Sequence, residues 1–73
     1  MEILLDCTEL EAPEPLNLVV SELGNVDENS HIKMIHRLKP QMLLQILDSN
    51  GFTYEIEEVE HLFHINIRKK VDA

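Results

Sequence analysis

Apolar and polar positions alternate along this chain with two different periods, and the changes of period mark six elements. Residues 2–6 form a short apolar run ending at Asp6, which predicts a strand. Ala12-Pro13-Glu14-Pro15 then predicts a helix start, because proline is tolerated where the first backbone N–H groups lack partners anyway. Leu16, Val19, Val20 and Leu23 follow at i, i+3, i+4 and i+7, one apolar stripe, and Gly24 is expected to close this helix. Asn25 to Asn29 reads as a polar loop. From Ser30 the period becomes two, with Ile32, Met34, His36 and Leu38 on one face and His31, Lys33, Ile35 and Arg37 on the other: a second strand. Pro40 opens a second helix carrying Met42, Leu43, Leu44, Ile46 and Leu47, and Asn50-Gly51 ends it. Two further alternating runs follow. Phe52, Tyr54 and Ile56 oppose Thr53, Glu55 and Glu57; after a turn near Glu60-His61, Phe63, Ile65 and Ile67 point inward and His64, Asn66 and Arg68 outward. That turn has no Asn-Gly pair, so its register rests on the alternation alone, which a shift of two residues would also satisfy. Val71-Asp72-Ala73 reads as a loose tail.

The order is therefore βαβαββ, an α+β fold. Crossovers between parallel strands are right-handed, which puts both helices on one face if the first three strands advance in one direction across the sheet. The fourth strand runs antiparallel to the third. Its regular apolar face favours the gap between strands two and three, for a strand order of 1-2-4-3. The expected product is a two-layer sandwich with two helices covering one face of a mixed four-stranded sheet. The other face is left to water, with Glu55 and Glu57 near His64, Asn66 and Arg68 in a cross-strand pattern of opposite charges. This face reads as solvated with weak ion pairs, or alternatively as a docking surface.

Residues 1–73 make one domain. A hydrophobic fraction of 44% with 27% charged residues places it among ordinary globular domains. No apolar run is long enough to cross a bilayer, and Met1-Glu2-Ile3-Leu4-Leu5-Asp6 lacks the basic start of a signal peptide. The single cysteine, Cys7, forms no internal disulfide and fits a reducing cytoplasm. A formal charge of −8 repels phosphate backbones and anionic membranes, and the aromatics Phe52, Tyr54 and Phe63 are too few for a base-stacking platform. Neither nucleic acid nor membrane is an expected partner. A protein partner is.

Leu5-Asp6-Cys7-Thr8-Glu9-Leu10-Glu11-Ala12-Pro13-Glu14-Pro15 resembles the signature that opens the TusA/SirA-like sulfur carriers, in which a Leu-Asp strand end leads to Cys-Pro-x-Pro at the first helix. The resemblance runs from residue 3 to about residue 70. It is strongest to a sister family of short domains of unknown function, whose second half resembles Lys39-Pro40-Gln41-Met42-Leu43-Leu44 and Asn50-Gly51-Phe52-Thr53-Tyr54. It implies a cytoplasmic protein in sulfur transfer or redox regulation, with sulfur-relay proteins as partners. In that group a persulfide on the helix-end cysteine passes between proteins. A thiol there faces unpaired N–H groups and the positive end of the helix dipole, which favour the reactive thiolate. Here the matching position is Ala12, and Glu9 replaces the family's glycine. Pro13 and Pro15 keep the scaffold without the reactive atom. The expectation is a non-catalytic interaction module.

Cys7 is the alternative sulfur acceptor. It lies five residues upstream of Ala12, and Asp6 and Glu9 raise its pKa, which opposes reactivity; a small, partly buried strand-end residue is the competing reading. His31 and His36 have opposite parity, and His61 and His64 lack a ligand-spaced partner, so no metal site is expected and the histidines read as scattered over the surface. His36, Arg37 and Lys39 cluster before Pro40, where a helix N-terminus with nearby cations can bind an anion; the competing reading is that the same residues offset local acidity. The candidate binding residues are thus Ala12, Pro13, Glu14 and Pro15 at one helix end, and Arg37 and Lys39 at the other. No triad, phosphate loop or paired-carboxylate site is present, and no cofactor is implied.

Overall fold

The computed structural model describes residues 1–70, so the expected tail at residues 71–73 lies outside them. Six main elements follow one another: β1 (Glu2–Asp6), α1 (Glu14–Glu22), β2 (His31–His36), α2 (Gln41–Ser49), β3 (Phe52–Val59) and β4 (Leu62–Lys69), with a 3-10 turn at Leu23–Asn25 extending α1. The strands form one sheet in the order β1-β2-β4-β3. β1 is parallel to β2, and β4 is antiparallel to both of its neighbours. This is the expected βαβαββ sandwich, with β4 seated in the gap between β2 and β3.

The core explains why the helices share a face. Val19 from α1 and Leu43, Leu44 and Leu47 from α2 form one buried cluster with Ile32, Met34, Ile65 and Ile67 from the two central strands. Each central strand contributes alternate residues, so its pleat assigns one set to the helices and the other to solvent. β1 obeys the same parity: Ile3 and Leu5 pack on the cluster, while Leu4 is exposed on the open face.

Three local expectations need correction. Leu38 does not continue the inward row of β2. The strand ends at His36, the chain bends through Arg37 and Leu38 ahead of Pro40, and Leu38 is left 68% exposed. In α1 the buried pair is Pro15 and Val19, one helical turn apart, so the stripe is rotated and Val20 faces outward. The loop after α1 is not wholly polar, because Val26 is buried in the core cluster. On the open face Glu57 pairs with His64 and Glu55 with Asn66, as expected, while Arg68 stands opposite Thr53; at the other edge His31 Nε2 lies 3.3 Å from Glu2 Oε1.

The β3–β4 register is settled by a two-residue turn. Val59 pairs with Leu62, and Glu60 and His61 both take positive φ, 51° and 69°. Positive φ at both central positions is the type I′ signature, whose twist matches that of the flanking strands. At the C-terminus of α2, Gly51 supplies the left-handed residue (φ 79°) and the Asn50 side chain donates to the Ile46 carbonyl at 2.7 Å.

Candidate functional site

Two parallel strands joined by right-handed crossovers place both following helices with their N-termini at the carboxyl edge of the sheet. Here the starts of α1 and α2 meet over the ends of β1 and β2. Between them lies a groove of about 330 Å³, walled mainly by Pro13, Pro15, Leu16, Leu38, Met42 and Leu43. Ala12, Pro40 and Gln41 complete its rim, with Lys39 and His36 as its basic groups. Leu38 and Met42 are 68% and 65% exposed and line the same groove.

The groove unites the two helix ends singled out in the sequence. Ala12, Pro13 and Pro15 line it from one side and Lys39 from the other. Glu14 and Arg37 do not line it; both are exposed nearby, and Arg37 contributes through its backbone. Of the two residues expected to hold an anion, Lys39 lines the groove and Arg37 does not.

Backbone donors gather at the same place. Neither helix has a side-chain cap. Glu14 N–H donates to the Glu11 carbonyl, Asn17 N–H to Pro13 and Leu44 N–H to Pro40, whereas the Leu16, Met42 and Leu43 N–H groups have no partner among the described residues. These are the orphan donors of a helix start, and they carry the positive end of the dipole.

His36 closes the floor. It is the inward residue at the carboxyl end of β2, opposite Phe63, and only 8% exposed, which corrects the expectation of surface histidines. Its Nδ1 accepts the Arg37 backbone N–H at 2.8 Å. The proton of the neutral ring therefore sits on Nε2. Burial, reinforced by the Arg37 charge, holds the imidazole below its usual pKa and favours that neutral form. No buried side-chain nitrogen or oxygen among the described residues lacks a partner, so Nε2, which bonds to no protein atom, is open to solvent on a residue that lines the groove.

Cys7 is elsewhere in chemical terms. Its parity follows Ile3 and Leu5, its N–H extends the β1–β2 ladder to the Ile35 carbonyl at 2.8 Å, and its side chain is 0% exposed within the core cluster. Burial first, then the Asp6 carboxylate, push the thiol's pKa up. Asp6 itself accepts from the Thr8 backbone N–H at 3.0 Å and the Thr8 hydroxyl at 2.7 Å, which lowers its own pKa and keeps the charge beside Cys7.

A second hollow, about 600 Å³ but shallow, lies at the opposite end between Met1, Glu22 and Asp27. Its polar groups largely satisfy one another, with Ser30 donating to Asp27 at 2.9 Å and Asn25 to Glu22 at 3.1 Å. Among the described residues no group of three or more His, Cys, Asp or Glu side chains could hold a metal ion, and no helix is long and apolar enough to cross a membrane.

Leu38 and Met42 were not among the candidate residues of the sequence, whereas His36 was read there as part of the basic cluster before Pro40. The one signal that pointed to the region was the His36-Arg37-Leu38-Lys39-Pro40 run, where a strand pattern meets a proline. No family model, curated protein or solved structure matches this chain.

Proposed function

We propose that this chain is a TusA/SirA-like domain that works as a non-catalytic protein-interaction module in sulfur transfer or redox regulation, with the groove between the two helix starts as its binding site. The observation that carries this reading is the pairing of exposed Leu38 and Met42 with the Pro13–Pro15 helix end around one groove, at the place where the resembled carriers hold their cysteine. An apolar patch of this kind on a charged surface marks an interaction site. The setting in sulfur transfer rests on the resemblance of residues 5–15. With alanine at position 12 and the Cys7 sulfur in the core, no thiol faces the groove.

Two experiments test this. A photo-crosslinking residue at position 42 in cells is expected to capture a discrete partner whose purified form binds the wild type and not Leu38→Asp; the same probe at Leu4, on the open sheet face, is expected to capture none. Capture at position 4 alone would move the site to the sheet. Incubation with a cysteine desulfurase and cysteine is expected to leave the intact mass unchanged, and a one-sulfur adduct on Cys7 would restore the carrier reading.

A further inference from the structure

The polar groups of the groove define what its occupant presents. We infer that the groove takes the C-terminal carboxylate of a partner polypeptide whose last residues are apolar, an assignment that rests on the groove being the interaction site.

Three features converge on a carboxylate. The Met42 and Leu43 N–H groups at the start of α2 and the Leu16 N–H of α1 are unpartnered donors at residues that line the groove. His36 is more than nine-tenths buried, and its Nε2–H, free of any protein partner, adds a side-chain donor from the floor. Lys39 supplies a cation. Unpartnered N–H groups at helix starts, with a ring donor and a cation on the same groove, are the groups that a terminal carboxylate uses.

Charge points the same way. The chain carries fourteen acids against six Lys and Arg, yet no Asp or Glu lines this groove. An anion entering the groove meets Lys39 and two dipole ends with no carboxylate beside them.

Shape selects a polypeptide end over a free small acid. The walls are prolines, leucines and a methionine, which an inorganic anion would leave unused. At about 330 Å³ the groove is at the lower end of ligand-site volumes, and it is open along one side. A free small acid would keep much of its surface in water. A chain entering by its terminus can place its last side chains between Pro15 and Leu43 and continue across the exposed Leu38 and Met42.

The test is a titration of the 15N-labelled protein followed by amide and imidazole shifts. The probes are the N-acetylated hexapeptide Gly-Ser-Gly-Ser-Leu-Val as free acid, the same peptide as C-terminal amide, and 4-methylpentanoate. The free acid is expected to shift the amides of Leu16, Met42 and Leu43 and the Nε2 resonance of His36. The amide should bind at least about tenfold more weakly, the cost of losing a charge-assisted set of hydrogen bonds. Lys39→Met should weaken the acid by about threefold or more and leave the amide unchanged. Equal binding of acid and amide, perturbations centred on Lys33 and Arg68 of the open face, or no shift at all would overturn the assignment. Binding of 4-methylpentanoate as tight as the peptide's would overturn the polypeptide as its source. If the position-42 cross-link stands while acid and amide bind alike, the interaction site survives and only its carboxylate chemistry falls.

Discussion

The burial of Cys7 makes a quantitative claim about reactivity. With 0% of its surface exposed, the sulfur meets a reagent only when the packing of β1 against β2 and the helices opens. Domains of this length have stabilities of about 4–11 kcal/mol, from 0.05–0.15 kcal/mol per residue. If the core must open as a unit, even the lower bound suppresses modification about a thousandfold relative to the unfolded chain, since each 1.4 kcal/mol is a factor of ten. The perturbation is to move the sulfur. In a Cys7→Ala background, Ala12→Cys puts a thiol at an exposed position on the groove rim, beside unpaired backbone donors and Lys39. That thiol is expected to react with a disulfide reagent within about tenfold of the fully exposed rate, or faster if the helix end favours the thiolate. The assay is reaction rate at fixed pH in native buffer and in strong denaturant for each protein. A native Cys7 reacting within tenfold of its unfolded rate would refute the reasoning, because the sulfur would then be reachable without opening the core.

Further predictions concern the scaffold. Replacing Glu60-His61 by Asn-Gly should stabilise the domain by about 1 kcal/mol, net of the entropy glycine gains in the unfolded chain, whereas Val-Val should cost about 2 kcal/mol or more; equal denaturation midpoints would exclude the type I′ turn. Leu47→Ala removes a fully buried side chain of α2 and should cost about 2–5 kcal/mol in denaturant unfolding with an unchanged m-value, and a loss under 1 kcal/mol would contradict its place in the core. His36 binds its proton less readily folded than unfolded, so the unfolded state takes up protons first as pH falls below 6.5. Stability should therefore drop through that range and level off below the folded pKa. His36→Gln should flatten the slope, and an unaltered slope would show that the ring is not held neutral.

The architecture was legible because strand parity and helix stripes report burial directly. Ile32 and Met34, then Ile65 and Ile67, occupy the inward rows that alternation assigned them. The register of the hairpin was readable only as a pattern, since Glu60 and His61 take the left-handed conformations of a type I′ turn without the Asn-Gly pair that signals one. Leu38 misled for a related reason. Its parity matched the inward row, but period two holds only while the chain stays extended, and the bend before Pro40 carries it out to the groove rim. The groove itself joins residues 12–16 to residues 36–43, a meeting produced by the crossovers and invisible to any local pattern. The helix-end motifs were each readable alone; that they face one another was not.

The β1–β2–β4 arrangement also fixes where the molecule can be held. β1 begins and β4 ends at the edge of the sheet away from the helix starts, with Met1 accepting from the His31 N–H and Lys69 beside Phe52. A linker, fluorophore or solid support joined at either end of the described chain leaves the groove facing outward. Immobilised through its N-terminus, the domain presents its binding end to solution, and two copies tethered in tandem would display both grooves without mutual obstruction.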